Sequence, residues 1–217
     1  MTEQLTFEWS HAAASGRADF LPSDSNRAAL ECVERWPDWP AKGLVLYGPP
    51  GSGKTHLAHL WRERAGARLL DGAALAPEAA GDVATPVVVD DADRAPERAL
   101  LHLYNAAVEG GFTVLVVAAQ APSAWPIALP DLASRLRALP AVGIAAPDDV
   151  LLAAVLIKHF ADRQLRVEPG VIRYLIRRME RSFAAAAGLA GRLDRLALSE
   201  GGAVTVPLAR RLLKLSP

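Results

Sequence analysis

The sequence has little cysteine, no excess of charge of either sign and no long apolar run. Its one cysteine, Cys32, excludes an internal disulfide and a cysteine-based zinc site, and is typical of a reducing compartment, so we predict a cytoplasmic location. Lysine plus arginine and aspartate plus glutamate number 24 each, so the whole molecule has no basic field for gripping nucleic acid, although a local basic patch is still allowed. Without a basic region followed by an apolar run, or a stretch of about 18 apolar residues, we expect neither secretion nor a membrane span.

The 217 residues, 51% of them hydrophobic, allow one ordinary domain with a small appendage and exclude two large domains. Five short apolar runs alternate with longer amphipathic stretches, which predicts an α/β fold with a parallel sheet between helices. After Pro147 only helical spacing remains, which predicts a small helical C-terminal unit with helices over Val150 to Phe160, Val171 to Met179 and Phe183 to Leu198, and a shorter one after Pro207. We expect three parts: a tail at 1–18, an α/β domain at 19–146 and a helical domain at 147–217.

The strongest motif is a glycine-rich loop between a strand-like run and a helix-like run. Residues 48–55, GPPGSGKT, fit the phosphate-loop pattern G-x-x-x-x-G-K-[ST] at every fixed position. Glycines let backbone N–H groups approach a phosphate, and the following helix directs its positive end at that charge. Lys54 is expected to reach the β- and γ-phosphate oxygens, and Thr55 to ligate Mg²⁺. The expected cofactor contacts of this segment are Pro49, Pro50, Gly51, Ser52, Gly53, Lys54, Thr55 and His56. The alternative is a glycine-rich strand-to-helix turn without a ligand.

Two acids follow the apolar run at 87–89, about 35 residues beyond the loop. At the carboxyl end of a parallel strand, such side chains emerge where ligands bind this kind of sheet. Asp90 is predicted to hold Mg²⁺, directly or through water, and Asp91 to orient or activate the attacking water. Strands also end in Asp for reasons of turn formation, which is the alternative.

The order of these features resembles AAA+ ATPases of the DnaA clade: phosphate loop, acid pair, a strand at Val114 to Ala118, Ser134-Arg135-Leu136, and a helical tail with Arg181. Within the clade the chain is most similar to the Hda group of replication regulators, from Gln4 onward. The segments that carry the resemblance include ADFLPSDSNRAAL, RWPDWPAKGLVLYGPPGSGKTHLAHLW, VVVDDAD, LASRLRAL and RSFAAAAGLAGRLDRLAL. It implies an AAA+ P-loop fold with a five-stranded parallel sheet and a C-terminal helical lid. Initiators of this clade carry a further helix-turn-helix domain, which we do not expect after Pro217.

The resemblance also implies roles for single residues. Arg135 matches the arginine finger, a guanidinium offered to the γ-phosphate of a neighbouring subunit's nucleotide; a solvated helix arginine is the alternative. Arg181 begins the sensor-two helix, where it would touch the phosphates; the alternative is a solvated basic face, because other arginines lie at helical spacing before it. Phe20 and Leu21 match the segment over the adenine.

One position departs from the family. A polar residue usually positions the attacking water near the end of the fourth strand, but Val117 is apolar here and Gln120 is the only nearby substitute. This predicts slow intrinsic hydrolysis with nucleotide binding retained. The implied cofactors are therefore ADP or ATP with Mg²⁺, ADP being the nucleotide expected at rest.

A short peptide near the N-terminus, Gln4-Leu5-Thr6-Phe7, resembles the Gln-Leu-x-(Leu/Phe) peptide with which Hda-like proteins bind the DNA polymerase sliding clamp, its beta subunit. Leu5 and Phe7 are predicted to fill an apolar pocket while Gln4 hydrogen-bonds its rim. A frayed tail without a partner is the alternative.

Together these features favour a regulator that binds ADP, docks on the clamp and presents Arg135 to ATP held by the DnaA initiator, as a negative regulator of replication. A second copy of the chain is a further candidate partner, and sequence-specific DNA binding and membranes are not expected. The alternatives are an autonomous AAA+ ATPase of the helicase-loader type and, against the neutral charge, an origin-binding module.

Overall fold

A computed structural model describes residues 20–76, 84–200 and 202–214 of the chain. The predicted tail, including Gln4, Leu5 and Phe7, lies outside the described residues. The five apolar runs form the strands β1 Gly43–Tyr47, β2 Arg68–Asp71, β3 Val87–Asp90, β4 Val114–Ala118 and β5 Ala141–Gly143. They build one parallel sheet in the order β2-β3-β4-β1-β5. The predicted five-stranded parallel sheet is therefore confirmed.

Eight helices accompany the sheet within the described ranges. They are α1 Arg27–Glu34, α2 Lys54–Ala65, α3 Glu97–Gly110, α4 Pro130–Ala138, α5 Asp149–Asp162, α6 Pro169–Ile176, α7 Phe183–Glu200 and α8 Val206–Lys214. In the same part of the chain, no helix is both long and apolar enough to cross a bilayer.

Both faces of the sheet are covered, which explains why β4 and β1 are hydrophobic throughout and β3 is apolar up to Asp90. Side chains alternate along β4: Val116 belongs to a core shared with α3 and α4, whereas Leu115 and Val117 belong to a core shared with α1 and α2. Successive side chains of a strand point to opposite faces, so each run serves two cores. Trp61 on α2 is only 1% exposed and anchors the second core.

The helical C-terminal unit has a core of its own. Its buried cluster is drawn only from residues 152–212 and includes the fully buried Leu156, Phe160 and Leu175. Helix α5 begins with a side-chain cap, because Asp148 Oδ1 accepts a hydrogen bond from the Leu151 N–H at 2.7 Å. The predicted helical lid is confirmed.

The chain turns after Ile176, so α6 ends three residues before the predicted Met179. The N–H groups of Arg178 and Met179 both bond to the Leu175 carbonyl, and Met179 still reaches the core at 9% exposure. The apolar pattern of the sequence extends to Met179 because this side chain is buried, although Met179 lies after the end of the helix. This turn brings Ser182 and Phe183 to the phosphate loop.

Candidate nucleotide-binding site

The glycine-rich loop joins the end of β1 to the start of α2 at the carboxyl edge of the sheet. Gly51 and Gly53 have φ angles of +71° and +98°, which L side chains rarely adopt. A Cβ on Gly51 would lie 2.4 Å from the Ser182 Cβ, and one on Gly53 would lie 3.0 Å from the Phe183 ring. Glycine is therefore required here both by the backbone conformation and by the close approach of the lid.

The lid also contacts the loop through its backbone. The Phe183 N–H donates to the Gly51 carbonyl at 3.4 Å, where α7 begins. Ser182 lies just before α7, and its hydroxyl accepts a hydrogen bond from the Ala185 N–H at 3.1 Å. The first turn of α7 and the phosphate loop thus form one contact.

Lys54 and Thr55 open α2 at the base of the loop. Lys54 Nζ donates to the Pro49 carbonyl at 3.0 Å, and Thr55 Oγ1 donates to Asp90 Oδ2 at 3.2 Å. Burial lowers the pKa of Lys54 below its usual value, against the opposing charges of Asp90, Asp91 and Asp93. The Lys54 ammonium therefore lies within the electrostatic field of the three acids at the strand ends.

The acid pair lies at the end of β3. Asp90 Oδ1 accepts a hydrogen bond from the Asp91 N–H at 3.0 Å, whereas Oδ2 accepts the bond from Thr55. Each oxygen of this carboxylate therefore has one partner. Asp91 has a φ of +49°, and its carboxylate lies 3.7 Å from Arg94. The Asp93 carboxylate accepts from the Ala119 N–H at 3.0 Å and ties the end of β3 to the end of β4.

A cavity of about 850 Å³ opens beside the loop, between the N-terminal segment and the lid. Of the predicted cofactor residues, it is lined by Phe20, Leu21, Gly51, Gly53, Lys54, Thr55 and His56. The Phe20 ring stands edge-on to His56 with centroids 5.5 Å apart. A volume of this size fits a nucleotide-sized ligand.

The buried Asn26 fixes the N-terminal wall of this cavity. Its Nδ2 donates to the Leu21 carbonyl at 3.0 Å, and its Oδ1 accepts from the Ser23 N–H at 2.8 Å. At 3% exposure these bonds satisfy an otherwise costly amide. Asn26 therefore holds the segment that carries Phe20 and Leu21.

The lid wall of the cavity was not predicted from the sequence. Helix α5 contributes Leu151, Val155, Lys158, His159, Asp162 and Arg163, and the start of α7 contributes Phe183, Ala184 and Ala187. Burial, with the cations of Arg163 and Lys158, lowers the pKa of His159 against the opposing charge of Asp162. The spacing of the polar residues near the end of α5 could have indicated a polar face, but spacing alone does not show whether that face contacts a ligand or solvent.

Several predicted residues do not line the cavity. Pro49, Pro50 and Ser52 belong to the loop, and the Ser52 hydroxyl is buried without a hydrogen-bond partner. Arg181 also lies outside the cavity lining, and its Nη2 lies 2.7 Å from Asp149 Oδ1 at the start of α5. Its role at the phosphates stays a prediction.

Two further predicted residues lie away from the loop. Arg135 is exposed on α4, with its guanidinium 5.9 Å from the centre of the Tyr104 ring. Val117 is fully buried in the core, and the Gln120 carbonyl accepts a hydrogen bond from the Trp125 indole. In the parts of the chain that are described, no group of three or more His, Cys, Asp or Glu side chains could hold a metal.

Comparisons with known proteins agree with this geometry. Residues 149–213 match the family model described as Hda, lid domain. Domain III of the Thermotoga maritima replication initiation protein DnaA has a similar structure, with a TM-score of 0.77 at 17% identity over 94% of this chain and 98% of that one. The replication initiator DnaA bound to AMPPCP and single-stranded DNA has a TM-score of 0.72 at 18% identity, over 91% and 67% of the two chains.

A proteasome-associated ATPase of Sanguibacter keddieii is 46% identical over 57 residues, which are 26% of this chain. The chain spans about one tenth of the length of that relative. The match is therefore local.

The sheet, the phosphate loop and the helical lid define an AAA+ P-loop fold, and the cleft between loop and lid is its candidate nucleotide-binding site. Its lid is of the Hda type. The match to the Hda lid covers residues 149–213, and the chain as a whole has the fold of DnaA domain III.

Proposed function

We propose that this chain is a negative regulator of replication initiation that promotes hydrolysis of ATP bound to DnaA. The observation that carries the proposal is the position of Arg135, which is exposed on α4 and lies outside the chain's own nucleotide cavity. An arginine in that position is accessible to a nucleotide held by another molecule. The Hda-type lid and the DnaA-like fold support DnaA as that molecule.

In this proposal Arg135 is an arginine finger. A guanidinium neutralises charge on the transferring phosphoryl group and is worth roughly 10³ to 10⁵ in rate where it acts in trans. Tyr104 lies beneath the guanidinium at 5.9 Å and limits its range of orientations. No described acid is close enough to Arg135 to form an ion pair with it.

The chain's own site would hold nucleotide as a resident cofactor, with ADP as the state at rest. The loop suits phosphates because Gly51 and Gly53 take positive φ angles in a glycine-rich turn that directly precedes Lys54 and the start of α2. Mg²⁺ would be held by Thr55, Asp90 and phosphate oxygens, and it would supply charge neutralisation there. Asp91 would orient a water, but the buried Val117 gives that water no polar partner, so intrinsic hydrolysis would be slow.

The second contact of the proposal is with the sliding clamp, through Gln4, Leu5 and Phe7. Burying two large apolar side chains yields about 3–6 kcal/mol before ordering costs, so one peptide binds weakly. The contact with DnaA, or the several identical sites of a clamp, would then supply the remaining affinity. The proposal also retains the division into 1–18, 19–146 and 147–217, a cytoplasmic location and a second copy of the chain as a candidate partner.

The experiment compares Arg135→Ala with Arg137→Ala, an exposed arginine of the same helix. ATP preloaded on DnaA is followed through a single turnover with DNA-loaded clamp present. Arg135→Ala is expected to lower the stimulated rate by at least 100-fold while its nucleotide binding is kept, and Arg137→Ala to remain within about threefold of wild type. Equal losses in the two variants would contradict the proposed role.

A second function is favoured by one observation, namely that Thr55 and Asp90 already lie 3.2 Å apart beside a complete phosphate loop. This arrangement also suits an autonomous AAA+ ATPase of the helicase-loader type. Sustained hydrolysis of free ATP by this chain alone, lost in Lys54→Ala, would favour it.

A further inference from the structure

The chain has no net charge, but its N-terminal and C-terminal parts carry net charges of opposite sign. Residues 149–217 carry twelve lysines and arginines against six acids, and residues 1–148 carry twelve against eighteen, so net charges of +6 and −6 cancel. The even overall count therefore conceals a basic lid. An asymmetry of this kind points to a polyanionic partner for the basic half.

Most of the lid's acids are already neutralised. Four of the six pair with neighbouring cations: Asp149 with Arg181, Asp162 with Lys158, Asp194 with Arg163, and Glu200 with Arg211. Of the other eight cations in this region, five lie on α6, directly after it or on α8, and the other two acids, Glu168 and Glu180, flank α6. We name these five cations the α6–α8 basic surface; they are Arg173, Arg177, Arg178, Arg210 and Lys214.

These five side chains are exposed, and none forms an ion pair with any described residue. Arg173 on α6 and Arg177, which caps that helix, lie four residues apart and opposite its buried face, and Arg210 and Lys214 repeat that spacing on α8. The two helices pack against each other, so the two pairs belong to neighbouring elements of the lid. The Arg178 guanidinium stacks at 4.1 Å over the Tyr174 ring and donates to the Tyr174 carbonyl at 3.4 Å, so it is held at the end of α6.

We propose that the α6–α8 basic surface binds the phosphate backbone of duplex DNA without reading its sequence. Four of its five cations are arginines, whose planar forks match phosphate oxygens. Among the described residues, the large exposed apolar side chains all lie on other elements; they are Leu69, Val108, Val150, Ile157 and Leu198. A protein interface has an apolar core, whereas a phosphate interface is polar and positive, so the surface fits DNA better than a protein.

This surface is independent of the nucleotide site, because no residue of α6 or α8 lines the cavity. The inference goes beyond the proposed function and does not depend on it. A chain that fails to stimulate DnaA can still bind DNA in this way, and the reverse is equally possible.

The test is fluorescence anisotropy of a labelled 20-base-pair duplex titrated with the full chain between 50 and 200 mM NaCl. If five phosphates are contacted, affinity falls about 500-fold over this range, since each contact contributes about 0.9 to the log–log slope. Arg173→Gln with Arg177→Gln reduces the fall to about 40-fold, and Arg210→Gln with Lys214→Gln does the same. Two duplexes of unrelated sequence are expected to bind within about twofold of each other.

The matched control removes two exposed arginines of the α/β unit, Arg62 and Arg98, by the same change to glutamine. It is expected to keep the wild-type salt dependence. All three double variants should bind a fluorescent nucleotide with wild-type affinity, which would show that they are folded. Failure of the wild-type chain to bind the duplex at 50 mM, or a loss in the control equal to that of both test pairs, would overturn the proposal.

Discussion

The contact between the phosphate loop and the lid makes Gly51 the most informative position for a substitution. In Gly51→Ala the new Cβ must lie in a left-handed conformation, at +71°, and 2.4 Å from the Ser182 Cβ. The conformational cost alone is about 1–2 kcal/mol. The clash adds a displacement of the start of α7, because two carbon atoms cannot approach so closely.

Gly66→Ala is the matched control. Gly66 ends α2 at φ +61°, but a Cβ there meets nothing within 4 Å. It should therefore lose about 1–2 kcal/mol of stability, or roughly 2–8 °C in Tm for a chain of this size, without any loss of nucleotide affinity. Gly51→Ala should show the same cost in stability and at least a tenfold loss of affinity for a fluorescent ADP analogue.

A double variant isolates the clash from the backbone cost. Ser182→Gly removes the atom that the new Cβ meets. The loss of nucleotide affinity in the double variant should therefore be smaller than the product of the losses in the two single variants. Nucleotide affinity in Gly51→Ala within twofold of wild type would refute the loop–lid contact described here.

Three further predictions concern the lid. Asp149→Asn releases Arg181 from an exposed ion pair worth under about 1 kcal/mol, so if Arg181 serves the phosphates, affinity for ATP should rise by up to about fivefold; unchanged or weaker binding would count against that role. The lowered pKa of His159 means that the unfolded chain binds the proton more readily, so stability falls as pH drops below about 6.5; His159→Gln should flatten the difference in Tm between pH 5.5 and 7.5, and an unaltered difference would contradict the assignment. Phe160→Ala, at 1% exposure, should cost about 3–5 kcal/mol in urea unfolding, against about 0.5 kcal/mol or less for the 78% exposed Val150→Ala, and similar losses in both would contradict the placement of the lid core.

The sequence predicted those features that depend on residues close together along the chain. The apolar run at 87–89 forms β3 because both faces of the sheet are covered, and the loop at 48–55 follows its strand and opens its helix as its motif requires. Each of these signals is complete within about ten residues.

Contacts between distant segments could not be predicted in the same way. Nothing near Gly51 in the chain indicates that Ser182 packs against it, and nothing near Arg181 indicates its pairing with Asp149. The polar residues of α5 are spaced like a solvated face, yet His159 lines the cavity, because the side that a helix presents depends on the packing of the whole lid. The basic lid is a different case, because its charge can be counted from the sequence, but the total of zero concealed it.

The measurement that tests the central claim most directly is single-turnover hydrolysis of ATP preloaded on DnaA, with this chain added in the presence or absence of DNA-loaded sliding clamp. The account predicts acceleration only when both the chain and the clamp are present, and its loss when Leu5 and Phe7 are both changed to Ala. The proposed regulatory function would be contradicted if hydrolysis of DnaA-bound ATP were not accelerated under any of these conditions and the chain itself hydrolysed free ATP rapidly.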